Sequence, residues 1–183
     1  TRLPTVSWGS EMCIRDRDKP LPVMMWIHGG GNIVGDAKIY DPSTLVSEQE
    51  VIVVTIQYRM GALGWFRHPS LVDQNSSLEE KSGNFGTLDT IAALKWIKKN
   101  IDAFGGDPNN VTIFGESAGG HNVTALFASP LAAGLFHKVI VQSGVSSVSS
   151  IKASESYLPE NREAPTDSSC LLYTSDAADD DTR

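Results

Sequence analysis

Cysteine is nearly absent. The chain of 183 residues has two, Cys13 and Cys170, and both fall in terminal stretches that read as translated sequencing adapter. Met12-Cys13-Ile14-Arg15-Asp16 and Cys170-Leu171-Leu172-Tyr173-Thr174-Ser175 can be encoded by inverted copies of one DNA tag. The expectation is that 1–17 and 170–183 are assembly artefact, to be set aside in reasoning about the fold, and that 18–169 is the genuine segment. That segment has no cysteine, so cysteine usage carries no information on redox compartment. Positive charge is scarce as well. The whole chain has 15 basic and 22 acidic residues; setting aside three and two in 1–17 and one and four in 170–183 leaves 11 and 16, a net −5. A mildly acidic segment without a basic cluster argues against nucleic acid as a partner. No apolar run approaches the ~18 residues of a membrane span. No metal-ligand spacing and no G-x-x-x-x-G-K-[ST] phosphate loop occurs, so no metal and no cofactor is expected. A secretion signal would lie upstream of what is present, which leaves localisation open, and the oligomeric state is open too.

What is present centres on Gly115-Glu116-Ser117-Ala118-Gly119, a G-x-S-x-G pentapeptide. The β-branched and aromatic run Val111-Thr112-Ile113-Phe114 before it predicts a buried strand, and Ala118 to Ala128 after it predicts a helix. A sharp strand-to-helix turn presents the middle residue with its Oγ exposed, and small residues at 115 and 119 let strand and helix pass closely. The helix N-terminus then faces any negative charge forming at the turn. A second motif follows another apolar strand: Val23 to Ile27 runs into His28-Gly29-Gly30-Gly31, the type of loop that supplies oxyanion-hole amides. Two such motifs, each at the end of an apolar strand, point to an ester-cleaving α/β hydrolase.

The remaining pattern alternates strand and helix. Val51 to Ile56 is six β-branched residues in a row, as in a parallel strand buried on both faces. Ser43 to Glu50 predicts a short helix. Leu88, Ile91, Leu94, Ile97 and Ile101 form one apolar stripe, which predicts a helix over Gly86 to Ile101. Asp73 to Lys81 is polar and is expected to be exposed, Phe104 to Pro108 is expected to be a turn, and Val139 to Val141 is expected to be the fourth strand. The fold class is α/β, a central parallel sheet with right-handed crossover helices.

The chain resembles the type-B carboxylesterases, the family of cholinesterases, bile-salt-type lipases and bacterial para-nitrobenzyl esterases. The resemblance is carried by Pro22 to Gly31, Val53 to Phe66, Ser82 to Asp89, Ala92 to Ile101, Ala103 to Gly119 and Ser129 to Gly144. Two departures stand out: Thr90 where the family usually has Gln, and His121-Asn122 where small residues are common. The resemblance implies that 18–169 is part of an α/β-hydrolase domain, with its strands ordered 51–57, 23–28, 111–115, 139–143 and the edge strands missing on both sides.

Ser117 is then the candidate nucleophile of an acyl-enzyme mechanism on a small carboxylic ester. Gly30, Gly31 and Ala118 are the candidate oxyanion donors. Glu116 either hydrogen-bonds beneath the site, as the resemblance implies, or simply positions its loop. A serine nucleophile needs a base and an acid that follow it in the order Ser, acid, His. Only His121 and His137 follow Ser117, and the later acids of the segment, Glu155, Glu160, Glu163 and Asp167, come after both. His28 belongs to the oxyanion loop and His68 to a polar connection. The triad acid and His are therefore expected to have been lost with the C-terminal part, leaving a truncated chain inactive alone. The alternative is a cholinesterase-like module used for binding or adhesion. Three N-x-[ST] sequons, at Asn75, Asn110 and Asn122, are read as chance at the latter two positions.

Overall fold

A computed structural model describes residues 5–7, 19–67 and 73–144. Its centre is a five-stranded sheet. β1 is Thr5–Ser7, β2 Leu21–Ile27, β3 Ile52–Ile56, β4 Gly106–Glu116 and β5 Lys138–Gln142. They lie in the order β1-β3-β2-β4-β5, with β2, β3, β4 and β5 mutually parallel. The four parallel strands fall in the order the resemblance implied. Four α-helices lie among the described residues, α1 Ser43–Glu48, α2 Leu78–Ser82, α3 Phe85–Asn100 and α4 Ala118–Ala128, together with short 3-10 turns.

The apolar runs explain the core. Every residue of β3 is buried, as six consecutive β-branched residues require. Val23, Met25 and Ile27 of β2 and Val111 and Ile113 of β4 meet Ile91, Leu94 and Ile97 of α3, with Ile101 just beyond it, and Val123 and Leu126 of α4. The α3 stripe is thus the face packed on the sheet. Thr90 also lies in that helix, fully buried, and its Oγ1 satisfies itself by donating to Thr87 O at 2.7 Å. Arg59, after β3, grips α3 from outside. Its guanidinium makes two 2.8 Å bonds to Asp89, its backbone N–H a third at 2.9 Å, and it lies 5.1 Å from the Phe85 ring centroid.

One expectation gains an element and two need correction. The polar stretch 73–81 is exposed but holds a helix, α2. Ser77 accepts from Glu80 N while Glu80 accepts from Ser77 N, a reciprocal cap that starts a helix in a polar sequence. The turn expected over 104–108 is narrower. Gly105 makes it with φ 78, and β4 already begins at Gly106, paired with Leu21. The next pair is Val23 with Val111, so Asp107–Asn110 bulge opposite Pro22, a residue with no N–H to give the ladder. Finally, the edge beside β3 is not bare. Thr5, Val6 and Ser7, from the stretch read as adapter, pair antiparallel with Thr55, Val54 and Val53. Backbone pairing along an open edge makes no demand on side-chain pattern, which is why no periodicity announced it.

Candidate active site

The two glycine motifs sit at the C-terminal ends of neighbouring parallel strands, where open α/β sheets place their sites. Ile27 of β2 pairs with Gly115 of β4, so His28–Gly31 and Glu116–Gly119 leave the sheet side by side. Their contact is close: a methyl on Gly29 would lie 3.2 Å from Ser117 Cβ and 2.8 Å from Glu116 O. Gly119 and Gly120 allow the first turn of α4 to rest against the Ile27 and Gln142 carbonyls.

Ser117 has φ 55 and ψ −122, a conformation that costs a non-glycine residue free energy. Its neighbours hold it there. The Ser117 N–H donates to Gln142 O at the end of β5 at 2.9 Å, and Ser117 O accepts from His121 N at 3.0 Å as α4 begins. Its Oγ makes no cap bond to that helix. Glu116 precedes it with an exposed side chain.

The glycine loop turns its carbonyls inward. Gly30 O accepts from both Ile33 N and Val34 N at 3.0 Å, and Gly29 O lies 2.8 Å from His28 Nδ1. A carbonyl can only accept, so Nδ1 carries the hydrogen in that contact. All peptides among the described residues are trans, and a trans amide points its N–H away from the preceding carbonyl. The Gly30 and Gly31 amides are therefore directed away from the loop interior. Among the described residues no backbone acceptor takes the Gly30, Gly31 or Ala118 amide hydrogens. Gly30 has φ 105, and a side chain there would overlap Val34 O, so only glycine fits this turn.

Behind the loop lies a buried stack. The His28 and Tyr58 rings are 4.5 Å apart and 18° from parallel, and Tyr58 Oη donates to His28 O at 2.6 Å. Burial pushes the Tyr58 phenol above the ordinary tyrosine range, against a smaller opposing effect of a hydrogen bond from Asn122. Asn122 also donates from Nδ2 to Asn32 Oδ1 at 2.9 Å. Asn32, Tyr58 and Asn122 are the residues that sequence reasoning did not single out for the site; Asn122 was noticed only as a departure and as a chance sequon. Asn32 has φ 61, and an asparagine directly after three glycines was the available signal, since Asn tolerates that region.

Among the described residues no hydrogen bond joins a histidine side chain to Ser117. His28 is fully buried, and its Nε2 has no partner among the described residues. His121 is exposed on α4. His137 is at the far end of the sheet, where its Nδ1 accepts from Val111 N at 3.1 Å. His68, Glu155, Glu160, Glu163 and Asp167 lie outside the described residues. Among the described residues there is no cluster of side chains that could hold a metal ion, and no helix is long and apolar enough to cross a membrane.

The profile of the carboxylesterase family matches residues 7–178. Over 136 residues the chain is 52% identical to carboxylesterase 1E of Rattus norvegicus, covering 74% of this chain and 22% of that protein. It is 55% identical over 130 residues to para-nitrobenzyl esterase of Bacillus subtilis (strain 168), covering 70% of this chain and 25% of that one. Among solved structures, a thermophilic PNB esterase superposes with a TM-score of 0.67 at 48% identity, over 75% of this chain and 28% of that chain. The chain thus spans about a quarter of the length of these relatives.

Proposed function

The chain belongs to the carboxylesterase family, and from that premise we propose that it is the part of a serine carboxylic ester hydrolase that carries the nucleophile and the oxyanion hole. The observation that carries this reading is Ser117 held at φ 55 against the Gly29–Gly31 loop. A turn that only joined a strand to a helix would have no need of strain at a serine beside a second loop of unpaired amides.

In the proposed reaction Ser117 Oγ attacks the ester carbonyl carbon and gives up its proton to a base. The carbonyl π electrons move to oxygen. The Gly30, Gly31 and Ala118 amides donate to that oxyanion, and such a donor is worth about 10²–10³ in kcat. Collapse expels the alcohol, which takes the proton, and leaves the acyl group on Ser117. Water then attacks the acyl carbon and releases the acid. The base and its orienting acid lie outside this chain, since no acid followed by His comes after Ser117 in it. The chain by itself is then inactive. A methyl on Gly29 would lie 2.8 Å from the backbone O of Glu116 and 3.2 Å from its carboxylate Oε2, so the carboxylate lies beside the glycine loop, as either reading of Glu116 requires. The same reading keeps 18–169 as the enzyme's own segment and 1–17 and 170–183 as adapter-encoded. The family match runs past both joins, so an amplicon from genomic DNA that retained these codons would overturn the adapter assignment.

The test of function is turnover of p-nitrophenyl acetate by the protein carrying its native C-terminal continuation. Steady hydrolysis lost on Ser117→Ala is expected. An active Ser117→Ala variant would refute the nucleophile assignment, and an inactive parent would favour the binding-module alternative.

A further inference from the structure

We propose that Asn122 is a positioning residue for this reaction: its Nδ2 donates to Asn32 Oδ1 at 2.9 Å and so ties the helix that starts at Ser117 to the loop that carries the Gly30 and Gly31 amides. The inference rests on the hydrolase reading above and adds a device that holds the two halves of the site at a fixed spacing.

Asn122 lies five residues beyond Ser117 in α4 and is only 4% exposed. A carboxamide that deep in the protein must have its hydrogen bonds met inside. The orientation of its amide follows from its neighbours. Tyr58 Oη spends its hydrogen on His28 O at 2.6 Å, so toward Asn122 the phenol oxygen can only accept. Asn122 must therefore present its NH2 group, one hydrogen to Tyr58 and one to Asn32 Oδ1. On the other side Asn32 is held twice, through its side chain by Asn122 and through its carbonyl by Gly61 N at 2.6 Å. These bonds keep Asn32 at φ 61, immediately after Gly31. Tyr58 leads through His28 to Gly29 O, the carbonyl that sets the direction of the Gly30 amide. One side chain on the nucleophile's helix thus reaches the loop from both ends.

The test uses the protein with its native C-terminal continuation. Asn122→Leu keeps the γ-branched shape at a somewhat larger volume and removes both donors. It should lower kcat about 10- to 100-fold, the scale for slight misplacement of catalytic groups, with KM changed by less than about threefold. In a double-mutant cycle the variant carrying both Asn122→Leu and Asn32→Ala should lose clearly less than the sum of the two single losses, because both remove the bond between Asn122 and Asn32 and only the bond to Tyr58 is left for Asn122→Leu to remove on its own. Backbone amide exchange over 30–32 should speed up in Asn122→Leu while exchange in β3 stays as in the parent. That readout judges the link even if the parent shows no esterase activity, in which case the hydrolase reading fails by itself. Parent-like kcat, additive losses, or unchanged exchange over 30–32 would each overturn the proposal. Should Asn122→Leu not fold, Asn122→Ala is measured in its place with the same outcomes.

Discussion

Gly119 of the elbow helix lies directly against the carbonyl of Ile27, the last residue of the strand that leads into the glycine loop. A side chain there would overlap that oxygen and come within 2.9 Å of His28 O, and both are backbone atoms with nowhere to move. Gly119→Ala is therefore expected to destabilise the fold by about 1–3 kcal/mol, the usual cost of overpacking. A urea midpoint equal to that of the parent would show that helix and strand are not in contact.

Tyr58 makes stability depend on pH in the alkaline range. Its phenol is held above the ordinary value of 10.0, chiefly by burial. Below that value it is protonated in both folded and unfolded states and contributes no pH dependence. Above it the unfolded chain ionises while the folded one resists, so stability falls as pH rises. Between about pH 9 and pH 11 the parent should lose more stability than Tyr58→Phe, which has no phenol to titrate. At neutral pH the same variant should be less stable by about 1–2 kcal/mol, for the lost bond to His28 O. Equal alkaline losses in the two proteins would contradict this account.

Arg59 and Asp89 fasten the end of β3 to α3 by three hydrogen bonds. The Arg59 side chain is 50% exposed and that of Asp89 12%, so solvent screens part of the attraction. Asp89→Ala should cost about 1–2 kcal/mol rather than the larger sum of three charged bonds. Thermal melts at low and high salt check this, and a loss near zero would reduce the pair to surface decoration.

Much of this was legible because it is written in local pattern. Six β-branched residues gave β3, one stripe gave α3, and the two glycine motifs predicted where strands end and helices begin. The glycines at 115 and 119 were legible as close-approach positions, because a strand that turns sharply into a helix around a serine brings the two elements together at those points. Other features depend on partners far along the chain. Asn122 meets Asn32 across 90 positions, and no periodicity connects them. The pairing of Thr5–Ser7 with β3 is backbone to backbone and leaves no side-chain trace. The cap of α2, Ser77 with Glu80, was present in the sequence, but the polar composition around it hid the signal.

The chain of 183 residues, made as written, should show no sustained ester turnover. An oxyanion hole and a serine without its base leave only a residual rate, roughly 10³–10⁴ over water. In the protein with its C-terminal continuation, His121→Ala and His137→Ala should retain parent activity, since one is exposed on α4 and the other serves the far end of β4. Turnover by the chain alone, lost with either histidine, would identify a base within it.

The most direct test of the central claim is to locate the covalent intermediate. The protein with its C-terminal continuation is treated with a fluorophosphonate, which captures the serine that forms an acyl-enzyme, and its peptides are weighed. The account predicts one adduct, on the peptide containing Gly115-Glu116-Ser117-Ala118-Gly119, and none in Ser117→Ala. An adduct on any other serine, with Ser117 unmodified in an enzyme that turns over ester, would contradict it.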